Sequence, residues 1–141
     1  MKHSRTPSRN RVLYACLTLA VVAAGLLWRA GFMPLPPLVS KYGGDALWAL
    51  MVFTGCGFLF PRASTIALGL LALSFAWLIE FSQIYHAPWI DALRATLPGR
   101  LILGSAFNWP DLPAYMLGVA LGVWAESSQG KLMKRQVPPV G

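Results

Sequence analysis

Four stretches of this chain are nearly free of polar residues: 12–28, 46–60, 63–83 and 111–125. None alternates with the period of a strand, so each predicts a helix that is apolar nearly all round. The first follows the basic stretch "MKHSRTPSRNR". It reads as a retained signal-anchor helix, because further apolar runs follow it and no small-residue cleavage site leads into a soluble domain. Pro34, Pro36 and Pro37 predict a non-helical link before the second run, with Asp45 as the N-cap of that helix. The run 46–60 is short against the roughly 20 residues that cross a bilayer core. "FPRAS" predicts a tight hairpin into 63–83, which is long enough by itself.

The stretch 85–109 is too polar to cross a membrane. Within it "PWIDALRATLPG" predicts a short amphipathic helix over 88–99, opened by Pro88 and ended by Pro98-Gly99. Trp89, Leu93 and Leu97 share one side of it, while Asp91 and Arg94 stand three apart. The predicted fold class is therefore all-α: a transmembrane helical bundle of four spans, with a short amphipathic interfacial helix between spans 3 and 4. Residues 12–126 form the bundle, and 1–11 and 127–141 are basic cytoplasmic tails.

Composition agrees with a lipid solvent. Hydrophobic residues make up 56% and charged residues 12% of the 141-residue chain, and soluble domains carry about 25% charge. The net charge of +7 does not point to nucleic acid, because the basic residues flank the apolar runs and form no single patch. Lys2, Arg5, Arg9, Arg11, Arg62, Lys131, Lys134 and Arg135 fall on one face of a four-span frame, and Arg29, Lys41, Arg94 and Arg100 on the other. The richer face is the cytoplasmic one, which puts both termini inside. Cys16 and Cys56 lie in apolar runs and behave as small hydrophobes. His3 and His86 are isolated, so no metal or cofactor site is expected.

Against this apolar background the polar residues of the outer face stand out. Asp45 and Asp111 open helices there, Glu80 and Gln83 share one face of the third helix, and Arg94 and Arg100 lie in the outer connection. A carboxylate inside a span is a candidate functional group, and Arg94 and Arg100 are the candidate partners of Glu80. In the fourth helix Asp111, Tyr115, Gly118 and Gly122 share a face, and Gly118-x-x-x-Gly122 allows another helix close. The third helix, with the small stripe Gly69, Ala72 and Ala76, is the expected partner. The candidate ligand-binding set is Asp45, Glu80, Gln83, Arg94, Arg100, Asp111 and Tyr115.

"GDALWALMVF", "IEFSQIYHAPWIDALRATLPGRLILG" and "FNWPDLPAYMLGVALG" resemble a family of small bacterial inner-membrane proteins known only as a domain of unknown function. More distantly, Glu80-x-x-Gln83, a following arginine and Asp111 at the head of a Gly-rich last helix look like the VanZ family. The resemblance implies a four-helix bacterial inner-membrane protein linked to the cell envelope, and VanZ proteins are linked to low-level teicoplanin resistance. Arg94 and Arg100 both compete for the arginine position, with Arg100 preferred. VanZ carries an asparagine a few residues after the aspartate, where this chain has Tyr115.

Two functions follow. One is a membrane protein whose periplasm-facing polar site binds a lipid or a lipid-linked envelope precursor by its headgroup. The other is a structural or accessory bundle whose partner is another membrane protein. Ion movement is disfavoured, because the cytoplasmic halves of the spans have almost no ionisable groups to form a relay. Enzymatic activity is disfavoured too: Ser82 and His86 are four apart, but no third group orients them.

Overall fold

Asn10 starts the first helix. Its side chain accepts from the backbone N–H groups of Val12 and Leu13, satisfying donors that the first turn leaves open. The structure, a computed structural model, describes residues 8–136, with side chains as far as 132. Lys2, His3, Arg5, the side chains of Lys134 and Arg135, and the last residues of the expected carboxyl tail lie outside the described residues.

Six helices and no strand occur among the described residues. They are α1 (Arg11–Arg29), α2 (Pro37–Leu59), α3 (Thr65–Ser82), α4 (Pro88–Ala95), α5 (Leu97–Leu103) and α6 (Asp111–Gln136). Two of the boundaries differ from the sequence reading for a definite reason. The prolines before α2 start that helix instead of forbidding it: Pro37 occupies its first turn, where a missing N–H removes no intrahelical bond. Asp45 therefore lies inside α2 and is not its N-cap. With 23 residues α2 is about 34 Å long. Similarly, α6 continues past residue 125, since no proline occurs between Pro113 and Pro138 to stop it. The single amphipathic helix expected over 88–99 is two short helices. Thr96 takes an extended conformation, and its hydroxyl caps α5 through the Gly99 N–H.

Among the described residues, α1 and α3 are the helices long and apolar enough to cross a membrane. In α2 the first turns carry Ser40, Lys41, Tyr42 and Asp45, and in α6 the second half is polar. Four spans are thus not evident from length and apolarity alone.

The core is a triangle of α2, α3 and α6. Ala49, Phe53 and Cys56 meet Leu68, Ala72 and Ala76, and Tyr115 and Val119 close the third side. Helix α1 packs on α2. Gly118 and Gly122 do serve a close helix approach, but toward α2 and not α3. A Cβ on Gly118 would stand 2.1 Å from the Ala46 carbonyl oxygen, and one on Gly122 would stand 2.5 Å from the Phe53 ring. The small residues Ala46 and Ala49 make α2 the flatter partner. Helix α3 reaches α6 through its own glycine, where Gly69 faces Val119 and Val123.

The outer surface of this bundle is apolar. Leu19 and Leu78 are each 68% exposed, and Leu70, Leu121 and Trp124 are exposed as well. Its interior, in contrast, holds the fully buried Glu80.

Candidate functional site

At the C-terminal end of α3 four elements converge. Glu80 comes from the last turn of α3 and Gln83 from its C-cap, Asp111 and Tyr115 from the start of α6, Lys41, Asp45 and Trp48 from the first half of α2, and Asn108 from the loop before α6. Glu80 is held from three sides. The Tyr115 hydroxyl donates to its Oε2 at 2.8 Å, the Gln83 amide donates to the same oxygen at 3.2 Å, and the Asn108 backbone N–H donates to Oε1 at 2.7 Å. All three donors are neutral. Its hydrogen bonds with Tyr115 and Asn108 tie α3 to α6 and to the loop that precedes α6.

Neither arginine pairs with Glu80. Arg94 is buried, and its guanidinium donates to the carbonyls of Ser82 at 2.7 Å and Tyr85 at 2.8 Å. It thereby caps the chain as it leaves α3, where carbonyls point outward unpaired and a cation is favoured. Asp91 adds a partly exposed contact to it at 3.3 Å. Arg100 is exposed, on α5.

In front of Glu80 lies a cavity of about 630 Å³. Asp45, Gln83, Arg100, Asp111 and Tyr115 line it, whereas Glu80 sits behind that layer and Arg94 outside it. Lys41 contacts Asp111 closely and stands 4.0 Å from Asp45. The Asn108 amide donates to Asp111 at 2.9 Å. One lysine thus answers two carboxylates. Arg29 and Arg100 also line the cavity; neither makes a close ion pair among the described residues, although Arg29 lies near enough to Asp45 for their charges to interact. The side chain of Gln83 is shaped by Gly104, which has φ of 68° and would bring a Cβ within 2.4 Å of the Gln83 amide. Only glycine suits both the left-handed backbone and the close contact.

Arg29, Lys41, Trp48 and Asn108 are cavity residues that the sequence reading did not select as site residues. The signal for Asn108 was present in "FNWPD": Asn108 and Asp111 stand three apart across a turn at a helix start, a spacing at which the two side chains meet. Arg29 and Lys41 were visible only as charges that set orientation.

The same geometry removes one catalytic arrangement. The Ser82 hydroxyl donates to the Ile79 carbonyl at 2.6 Å, and His86 stands 3.1 Å from Asp91 on the exposed side. Serine and histidine are not joined. Among the described residues no three His, Cys, Asp or Glu side chains gather as a metal set.

A second polar cluster lies at the opposite end of the bundle. Arg9 donates through Nε to Glu126 at 2.9 Å and also contacts the Ala63 carbonyl. Thr65 donates to Glu126 at 2.6 Å, and the Tyr14 hydroxyl donates to its other oxygen. Arg9, expected in a polar tail, is instead part of the folded bundle. Burial pulls its guanidinium down, but the hydrogen bond and charge of Glu126 outweigh this and leave it raised.

Comparison with known proteins gives one family. The model of a family described as "Protein of unknown function (DUF2809)" matches residues 35–119, which include α2 to α5 and the first part of α6. No solved structure matches the chain.

Proposed function

The chain belongs to this DUF2809 family, and we propose that it is a multi-pass protein of the bacterial inner membrane whose outer cavity binds the headgroup of a lipid or lipid-linked envelope precursor. In this reading α1, α2, α3 and α6 all span, α4 and α5 lie at the outer interface, and both termini are cytoplasmic. The observation that carries it is the inverted distribution of polarity: exposed Leu19, Leu70, Leu78 and Trp124 surround a buried Glu80, with a polar cavity beside it. Such a surface suits lipid as solvent. Arg29 and Arg100, neither in a close ion pair among the described residues, give the cavity groups for an anionic headgroup through charge-assisted hydrogen bonds. The distant VanZ likeness supports the same assignment, with Asn108 supplying an amide beside Asp111 from the residues before it.

The test has two parts. Reporter fusions at both termini are expected to read cytoplasmic, and a carboxyl terminus outside the cytoplasm sinks the topology. Binding of a labelled lipid-linked precursor to the purified protein is expected to weaken about tenfold in Arg100→Ala and in Lys41→Ala. Retention equal to wild type in both variants removes the ligand assignment.

One observation favours a structural role for part of the cluster. Glu80 makes all its bonds inside the protein and does not line the cavity. Glu80 therefore fastens the helices, and the ligand-facing layer is Arg29, Lys41, Asp45, Arg100 and Asp111. If the whole protein were only an accessory bundle, Arg100→Ala would leave every phenotype proportional to protein amount.

A further inference from the structure

Beside the polar cavity, between α1, α2 and α5, runs an apolar groove of about 330 Å³. Val22 and Leu26 of α1, Leu47 and Met51 of α2, and Leu101 of α5 line it. Arg29 is its charged residue, and Trp48 forms part of its wall. The groove and the cavity are continuous in their walls, since Arg29, Gly44, Trp48, Leu101 and Ile102 belong to both. Each volume falls in the range of small-molecule sites, about 300–1,000 Å³.

The junction between the two is chemically distinctive. Arg29 ends α1 there, without a close ion pair among the described residues. Trp48 Nε1 is buried and has no hydrogen-bond partner among the described residues. Native proteins leave few such groups unpaired. A cation at the seam of a polar chamber and an apolar trough fits one kind of molecule, charged at one end and greasy at the other.

We propose that the cavity and the groove form one site for a net-anionic phosphate amphiphile, its headgroup against Arg29 and Arg100 and its hydrocarbon chain along the groove. The phosphate takes the Arg29 guanidinium at the seam. The rest of the headgroup faces Lys41, Asp111 and Asn108. The chain leaves between α1 and α2 toward the lipid-facing side. This deepens the headgroup reading above and rests on it, adding that the hydrocarbon part of the ligand is held by the protein and not left in bulk bilayer.

The experiment uses the full chain in detergent with a phosphatidylglycerol probe carrying a photoactivatable diazirine in mid-chain. Adducts are mapped by peptide mass spectrometry. The expected result is labelling of the Val22, Leu47 and Met51 peptides, competed by unlabelled phosphatidylglycerol and not by glycerol 3-phosphate. Arg29→Gln is expected to lower this labelling about tenfold. Gly25→Leu should block it, because Gly25 lines the groove and a Cβ there meets only Leu47 at 4.0 Å, leaving the fold room to accept the change. Leu47→Phe is the second groove-filling variant, read the same way should Gly25→Leu lose thermal stability.

Equal labelling by a zwitterionic phosphatidylcholine probe, unaffected by Arg29→Gln, means bulk lipid only and overturns the proposal. Loss of probe binding in Arg100→Ala but not in either groove-filled variant overturns the groove and leaves the headgroup reading standing. Full competition by glycerol 3-phosphate reduces the site to a headgroup pocket and also overturns the groove. No change in any variant removes both.

Discussion

The two ends of the bundle use the same residue types, acid, tyrosine and base, and arrange them in opposite ways. At one end Glu126 meets the Arg9 guanidinium directly, and Tyr14 and Thr65 complete its shell. Charge is answered by charge, beside a cavity of about 570 Å³ that Arg9, Arg11 and Arg62 line. At the other end Glu80 is answered by neutral donors, and the arginines turn elsewhere: Arg94 to backbone carbonyls, Arg29 and Arg100 to a cavity. In the proposed function the difference separates fastening from binding. The Glu126 cluster pairs its charges, whereas in the other layer one lysine stands between two carboxylates and two arginines face an open space, the arrangement on which the proposed ligand site rests.

The comparison breaks most readily at Glu80. Glu80→Ala leaves the Tyr115 hydroxyl, the Gln83 amide and the Asn108 N–H buried without their acceptor. Each such loss runs to about 1–3 kcal/mol, so thermal unfolding in detergent should show the largest drop of any single polar change, of order 3 kcal/mol or more. A wild-type midpoint would mean that Glu80 fastens nothing.

Arg9→Ala comes next. It removes one partly buried ion pair but leaves Glu126 the Thr65 and Tyr14 hydroxyls, so about 2 kcal/mol is expected by the same assay. The effect should be on stability alone, with lipid probe binding per folded molecule unchanged. A selective binding defect would join the two ends into one functional unit.

Gly104→Ala should lose about 1–2 kcal/mol, from a left-handed backbone and a Cβ pressed against Gln83. Because Gln83 lines the cavity, ligand binding should fall along with the melting temperature. Intact binding would detach Gln83 from the site.

The smallest stability change is expected for Arg100→Ala. Arg100 is exposed and makes no ion pair among the described residues, so its thermal effect should stay within about 0.5 kcal/mol. In the proposed function its effect is on binding. A large destabilisation would reassign Arg100 from the open layer to the fastening one.

Helix existence was legible in the chain, because long unbroken apolar runs allow little else. The apolar runs of α1 and α3 were placed to within two residues of the observed helices. Helix ends were less legible. Pro37 reads as a breaker in one dimension, and only its place at the first turn of α2 makes it a starter. In the site, the sequence drew attention to Glu80 because a carboxylate in an apolar helix is conspicuous, and it brought Gln83 and Tyr115 along by helical spacing. It paired Glu80 with an arginine because opposite charge is the simplest partner to imagine. Neutral donors from a loop, such as the Asn108 backbone N–H, carry no sequence signature.

The sequence by itself determined that this is an all-helical chain with apolar runs too long for strands, a few acids isolated among them, and cations gathered at the segment ends. These follow from local composition and period, which each residue carries wherever it lies. Only the tertiary structure decided that Gly118 and Gly122 face α2, that Arg94 serves carbonyls and not Glu80, and that Arg29 and Trp48 stand where a polar chamber meets an apolar trough. Those outcomes depend on how helices far apart in the chain rotate against one another. That rotation is set by which small residues permit the closest contact and which buried polar atoms must find partners.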